Sequence, residues 1–404
     1  MAIRPTARTD VTRSAVLAHL GAHGPASRAD LARNLSVSPA LMTQLTKDLL
    51  GDGLIRELAE TRSQGGRPAR MLGLVQSAGR AVGVKVAADH LALVEVGIDG
   101  AVSRAESVAF DASSATMLSD LAASIRAFIG SRSATPLLGI GVGVPGDVDR
   151  QGTGVVHSAQ LGWQNTPLGD VLRRELGLPV LVENNVTALA IAERLHGVGR
   201  QHENFLVVTI GTGVGAAIVV DGSVVRGARG GAGEIGHLPV VDGGPRCRCG
   251  NAGCLEALVG EDALVARGRE RGVIGGADGI EQLRDAADRG DSAATSIFGE
   301  AGHTLGRALA GLVHTLDPEI VIVLGEGTAA WQHWSFGFEP AFRASLMPSR
   351  RGVPVAVETW QDESWAQGAA ALVISTPFDA EGVAGEQGTE VRRRLVEQAG
   401  GSDS

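Results

Sequence analysis

Residues 233–237 read Gly-Glu-Ile-Gly-His, and residues 247–256 read Cys-Arg-Cys-Gly-Asn-Ala-Gly-Cys-Leu-Glu. His237, Cys247, Cys249 and Cys254 bring one imidazole and three thiols within a short span, a set that suits a closed, structural Cys3His zinc site. The intervening glycines let the chain wrap tightly around an ion. A redox cysteine cluster and inert core thiols are the competing readings. No other cysteine occurs, and an odd, clustered set of three does not suit a disulfide framework. A clamp on these residues would hold Glu234, His237 and Glu256 near one point. Two carboxylates and an imidazole so placed can hydrogen-bond several hydroxyls, which is what recognition of a sugar requires.

On either side of this stretch, short apolar segments alternate with helical periodicity. Phe205 to Ile210, Ala216 to Val220 and Val224-Val225 predict strands around a glycine turn, with a long helix from Ser292 to Leu316 and a strand from Ile320 to Leu324 downstream. Upstream, Ala81 to Val86 and Leu91 to Ile98 predict a hairpin, Met117 to Ile129 a helix and Leu137 to Val144 a buried strand. A helix from Pro167 to Leu176, a strand from Val180 to Val182 and a helix from Val186 to His196 follow. Two α/β series of similar order imply two lobes around a cleft, a common place for a ligand.

The first 75 residues differ in texture. Apolar positions Val11, Ala15, Val16 and Leu20 mark a first helix, and Ser27 with Asp30 forms the start signal of a second. Ser38 and Pro39 open a third, in which Met42, Leu45 and Leu49 make the buried stripe. Ala40, Thr43, Gln44 and Lys47 form a separate small, polar and basic face fit to read base edges in a major groove. Leu54 to Leu58 and Gly73 to Val75 predict two wing strands. The tip between them includes Arg62, Gly66 and Arg67, suited to a phosphate backbone or narrow minor groove. The bland alternative is a small helical packing domain with solvated charges. Ser38, Ala40, Thr43, Gln44, Lys47, Arg62, Gly66 and Arg67 are the candidate DNA contacts.

A length of 404 residues allows two or three domains, and a net charge of −9 disfavours nucleic acid on average. Residues 1–75 hold 10 Lys and Arg against 6 Asp and Glu, however, so a head of charge +4 sits on a body of −13. Absence of a long apolar run or secretory leader excludes membrane insertion and predicts a cytoplasmic protein.

The cysteine signature with its Glu-x-Gly-His partner, the winged helix-turn-helix and the Gly-Arg-Pro segment together resemble the ROK family (repressors, open reading frames and sugar kinases), in its transcriptional-regulator branch. Further matches are Gly141 to Asp149, Gly162-Trp163 with Pro167-Leu168, Gly211 to Gly215, and Gln367 to Ala370. The resemblance spans about Thr9 to Ile374. It implies an α/β protein in which a winged helix-turn-helix precedes an actin-like, RNase H-like two-lobed domain. It also implies structural zinc on His237, Cys247, Cys249 and Cys254, and a sugar held by Asn184, Asn185, Glu234, His237 and Glu256.

Departures from the family's kinases decide the expected function. Their Asp-x-Gly-Gly-Thr phosphate loop corresponds here to Lys85-Val86-Ala87-Ala88-Asp89, which puts side chains and a carboxylate where phosphate should sit. Their catalytic Asp corresponds to Asn185, and an amide is not a general base. Their adenosine-side Gly-Gly-Gly reads Gly325-Glu326-Gly327. The expectation is therefore a sugar-responsive repressor without catalytic residues, binding operator DNA as a homodimer or homotetramer and sensing a sugar or sugar phosphate. An active sugar kinase carrying a DNA-binding head is the alternative, and control by a protein effector stays open. The expected domains are 1–75 for the head and 76–378 for the sensing body. Within the body, one lobe is expected over 81–185 plus 362–375 and the other over 186–360. A disordered tail is expected over 379–404.

Overall fold

The structure is a computed structural model that describes residues 12–61, 69–75, 78–130, 135–358, 362–376 and 384–399, apart from 14, 18, 21 and 22. In the head, the described residues between 12 and 20 are helical (α1), with Val16, Leu17 and Leu20 buried. After β1 (Ala26–Ser27), the Ser27 hydroxyl accepts the Asp30 N–H at 3.2 Å and starts α2 (Arg28–Asn34). Ser38 caps α3 (Pro39–Gly51) by accepting the Leu41 N–H at 3.3 Å, satisfying an amide that the helix itself leaves unpaired. Met42, Leu45 and Leu49 are fully buried, as their spacing predicts. Strands β2 (Ile55–Thr61) and β3 (Ala69–Leu74) pair antiparallel, and β1 adds to β3, giving the order β1-β3-β2 of a winged helix. Arg62, Gly66 and Arg67 lie outside the described residues.

The body repeats one sheet plan. In the first sheet β4 (Arg80–Val86), β5 (His90–Gly97) and β6 (Val102–Ala109) form an antiparallel meander, while β7 (Leu137–Val144) pairs parallel to β4. A small sheet of β8 (Asp147–Val148), β9 (Val156–Ser158) and β10 (Trp163–Thr166) follows, and β11 (Val180–Asn184) completes the large sheet beside β7. In the second large sheet β12 (Phe205–Ile210), β13 (Val214–Val220) and β14 (Ser223–Val225) form the meander, with β15 (Ile320–Leu324) and β16 (Val355–Val357) parallel beyond β12. The orders β6-β5-β4-β7-β11 and β14-β13-β12-β15-β16 are the same, the duplication expected of an actin-like fold.

Helices α4 (Met117–Ile129) and α5 (Leu168–Leu176) share the core on one face of the first sheet, with Val82, Val84 and Ile140. Helices α6 (Asn185–Leu195) and α12 (Glu363–Ser375) pack together on the other. The approach of α12 explains two glycines: a Cβ at Gly83 would meet the Ala366 carbonyl oxygen at 1.9 Å, and one at Gly141 the Ala369 oxygen at 1.8 Å. In the second sheet's layer, α7 (Glu256–Val259), α8 (Glu261–Glu270) and α9 (Ile280–Asp288) lead into the long α10 (Ser292–Leu316). That helix packs on α11 (Trp331–Ser345) through a core of Phe298, Leu305, Trp334 and Phe338.

The chain divides into two compact units, 1–201 with 226–231 and 362–404, and 202–225 with 232–361. The lobe boundary therefore falls after Gln201, not at 186 as expected, because α6 buries its apolar side in the first unit against α12. The expected disordered tail is also corrected. Residues 385–399 form α13 (Gly385–Ala399), whose Val391 and Leu395 are buried while Gln387 accepts the Val180 N–H at 3.4 Å. Sequence periodicity also did not anticipate β6 or α11.

Candidate functional site

The metal-ligating set assembles. His237, Cys247, Cys249 and Cys254 have ligand atoms all within 4.8 Å of one another. Cys249 Sγ and Cys254 Sγ are 3.7 Å apart, and Cys247 Sγ lies 3.5 Å from His237 Nδ1. A zinc tetrahedron with Zn–S of about 2.3 Å and Zn–N of about 2.05 Å has edges of about 3.8 Å and about 3.6 Å, so these residues fit the ion. Backbone turns shape the loop: Cys247 N–H donates to Asn251 O at 2.8 Å, and Gly253 N–H to Pro245 O at 2.8 Å. Gly253 has φ +74°, and a Cβ there would meet Val241 O at 1.7 Å. Burial, together with the neighbouring thiols, pushes the Cys254 thiol up to about 12, a resistance to ionising that a bound cation relieves.

The same loop gathers the carboxylates. Glu234 Oε2 lies 3.7 Å from His237 Nε2, so the imidazole turns Nδ1 to the thiols and Nε2 toward a polar neighbour. Glu256 Oε2 accepts the Val214 N–H at 3.0 Å. Gly236 leaves room for it, since a Cβ there would stand 3.3 Å from that oxygen. Glu234, His237 and Glu256 thus share one neighbourhood in the second unit.

In the first unit, Asn184 and Asn185 stand where β11 ends and α6 begins, at the carboxyl ends of the parallel strands, where open α/β sheets bind ligands. Asn184 has a structural duty: its Oδ1 accepts Val186 N–H at 2.8 Å and Thr187 N–H at 3.2 Å, and its Nδ2 donates to Gly146 O at 2.9 Å. Asn185 Oδ1 accepts only from Val186 N–H, at 2.9 Å, so its amide NH2 is the freer group for a hydroxyl.

At Lys85 to Asp89, the stretch that the resemblance sets against the kinases' phosphate loop, Lys85 Nζ donates to Asp362 Oδ1 at 2.5 Å and the Ala87 N–H is taken by His90 O at 3.0 Å. His90 contacts both Asp89 at 2.8 Å and Asp362 at 3.2 Å. Its hydrogen bond holds the Asp89 carboxyl below the usual range and ionised. In the second unit, Glu326 presses on the glycine turn, its Oε2 only 2.4 Å from where a Gly211 Cβ would stand. Glu261 and Glu326 line a small cavity of about 40 Å³, and burial first, then Asp262 and Glu326, raise the Glu261 pKa.

On α3, Ser38, Ala40, Thr43, Gln44 and Lys47 are all exposed, opposite the buried stripe. Thr43 Oγ1 donates to Pro39 O at 2.8 Å and Gln44 Nε2 to Asp48 Oδ1 at 2.9 Å. Arg28 braces the helix pair by donating to Thr46 Oγ1 and to Glu57 Oε1, both at 3.0 Å, and Arg70 reaches the same carboxylate at 2.6 Å.

The ROK family model matches residues 81–376, most of the chain. The protein belongs to the ROK family. The MarR family model matches residues 11–64, the helix-turn-helix and first wing strand. The xylose repressor of Bacillus spizizenii is 26% identical over 318 residues, covering 78% of this chain and 81% of its own length. A glucokinase of Halalkalibacterium halodurans is 36% identical over 231 residues, covering 54% of this chain and 70% of its own. The crystal structure of a ROK family transcriptional regulator, a homolog of the E. coli MLC protein, matches with TM-score 0.76 and 25% identity over 97% of this chain and 100% of that one.

Two residues of this ROK protein's sites had no sequence signal. Arg226 reaches Glu183, the residue preceding Asn184, at 2.8 Å, and Arg248 reaches Glu256. Neither pairing has a fixed spacing to betray it.

Proposed function

We propose that this ROK protein is a sugar-responsive transcriptional repressor, in which the kinase-fold body senses and the head binds operator DNA. The observation that carries this reading is the conjunction of an exposed α3 face, Ala40, Thr43, Gln44 and Lys47, with a body that gathers Glu234, His237 and Glu256 around one loop. The α3 face suits a major groove, with Gln44 and Thr43 able to reach base edges and Lys47 a guanine or phosphate. The wing residues Arg62, Gly66 and Arg67 are the proposed backbone contacts. Asn185, Glu234, His237 and Glu256 are the proposed sugar ligands, with Asn184 a ligand through what its capping role leaves free.

His237, Cys247, Cys249 and Cys254 are the residues that would hold zinc, whose part is to brace the loop. The loop's own contribution is to fix Glu256 against the Val214 N–H and His237 beside Glu234, so that acceptors are in place before a sugar arrives.

The Lys85–Asp362 pair and the ionised Asp89 support a body that does not transfer phosphate. The Ala87 N–H is taken by His90 O, and the Asp89 carboxylate would repel a triphosphate there. Asn185 in place of a catalytic Asp points the same way. Regulation then needs only that the sugar prefer one of two states of the body. A homodimer or homotetramer would place two heads on a two-fold operator, acting in the cytoplasm; control by a partner protein remains an outcome to test. Binding of the protein to its own upstream DNA, measured by gel shift with and without hexoses, pentoses, N-acetylhexosamines and their phosphates, tests the reading. Specific DNA binding that a sugar changes supports it. Coupled ADP release with the same sugars, above an Asn185→Ala control, would favour the kinase instead.

A further inference from the structure

Arg248 lies between two of the metal-ligating cysteines, and its side chain leaves the metal loop altogether. Its Nη2 donates to Thr212 O at 3.2 Å and stands 3.5 Å from Glu256 Oε1. Thr212 belongs to the glycine turn between β12 and β13, and Glu256 opens α7. Glu256 is thereby held from two sides, by Val214 N–H on one oxygen and by Arg248 on the other. Three segments meet at one guanidinium: the metal loop, the helix that follows it and carries the carboxylate, and the glycine turn 36 residues upstream. Both contacts fall to one terminal nitrogen, Nη2, whose two N–H groups are shared between the carbonyl and the carboxylate.

We propose that Arg248 is a positioning residue for the effector, transmitting the geometry of the metal loop to Glu256. This rests on the reading of the body as a sugar sensor. Glu256 without Arg248 keeps its helix and its bond to Val214, but one oxygen is released to rotate and to hydrate. The side chain of Arg248 is half exposed, and Thr212, Arg246, Arg248 and Glu256 together line a cavity of about 340 Å³. A ligand in that cavity meets an acceptor already oriented and, on the guanidinium, donors that Thr212 and Glu256 leave free. The charge of Arg248 is matched by Glu256 itself, and Asp262 and Glu270 also line the cavity. That balance makes Arg248 an aligner of Glu256 and not a receptor for a free anion.

The test is calorimetric titration of the full-length protein with aldopentoses, aldohexoses and N-acetylhexosamines, carried forward with whichever binds best. Arg248→Ala, Arg248→Lys, Glu256→Gln and the Arg248→Ala/Glu256→Gln double variant are compared, each with its zinc content measured. The expected result is a loss of affinity of about tenfold or more in Arg248→Ala and partial recovery in Arg248→Lys. The double variant should be little weaker than Glu256→Gln alone, because the two act as one unit. Unchanged affinity in Arg248→Ala with zinc retained overturns the proposal, as do losses that simply multiply in the double variant. If Arg248→Ala loses zinc or fails to fold, Arg248→Met decides: wild-type affinity in it, with zinc retained, overturns the proposal. A wild-type protein that binds none of these sugars defeats the sensor reading itself, a result distinct from equal binding by wild type and variant.

Discussion

His196 shows how a single side chain can report on the state of the first unit. It ends α6, packs its ring against Gly100, and neither ring nitrogen finds a hydrogen-bond partner among the described residues. Burial lowers its pKa from 6.5 to about 4, against the pull of Asp99. The folded protein keeps this imidazole neutral while the unfolded chain protonates it below pH 6.5. Its contribution is therefore intact above pH 6.5 and is lost as the pH falls toward 4, by about 3 kcal/mol in total. Denaturant unfolding across that window should show a slope that His196→Phe reduces; the same slope in both proteins would contradict the assignment. The metal residues make a second prediction at this scale. Cys249→Ser should abolish stoichiometric zinc by metal analysis and lower the melting temperature, since the loop from Pro239 to Cys254 is held otherwise by isolated β-bridges and tight turns and belongs to no sheet. Full zinc occupancy in that variant would be the wrong outcome. These ligands were legible because their spacing is a chemical signature. The sequence reading made Asn184 a candidate sugar ligand and not a helix cap, because an Asn can hold either role and only the position of Val186 and Thr187 shows the cap.

At the scale of elements, strands and helices with clear periodicity read correctly: Met117–Ile129, Leu137–Val144, Phe205–Ile210, Ser292–Leu316 and Ile320–Leu324 all stand as the apolar pattern placed them. The misses have physical causes. Strand β6 is mostly exposed on both faces, so no alternation marks it, and it exists because β5 offers an unpaired edge. Helix α11 carries Pro340 in its interior, a residue that argues against a helix in sequence. Helix α13 is mostly polar and charged; its Val391 and Leu395 form a short apolar stripe, and Arg392 and Arg394 donate to Thr376 O and Gly177 O. Tertiary contact, not propensity, decides it. Leu395→Ala should therefore cost about 2–4 kcal/mol by denaturant unfolding, whereas a detached tail would show no change. The segment 226–231 belongs to the first unit for a similar reason. Arg226 Nε lies 2.8 Å from the fully buried Glu183, whose pKa burial raises despite Arg226. Removing that guanidinium with Arg226→Met should destabilise the protein by about 3–5 kcal/mol, because a buried carboxylate is left unmatched. A change below about 1 kcal/mol would show the pair to be dispensable.

For the whole molecule, a net charge of −9 conceals a basic head on an acidic body. That division was legible in the sequence, as was the doubled α/β order that became two sheets of one plan. What no spacing could reveal are the tertiary contacts of Lys85 with Asp362, Arg248 with Glu256 and Glu326 against Gly211. The first and last stand at positions matching the family's phosphate and adenosine motifs, and the second stands beside a proposed sugar carboxylate. The proposed function rests on the exposed α3 face and on the candidate sugar ligands gathered around one loop of the second unit. The most direct measurement is fluorescence anisotropy of labelled upstream DNA titrated with the full-length protein, with and without each sugar, with ADP release followed in parallel. The account predicts specific binding that one sugar changes by tenfold or more, with no sugar-dependent ADP release. DNA affinity indifferent to every sugar, together with ATP-dependent phosphorylation of one of them, would contradict it.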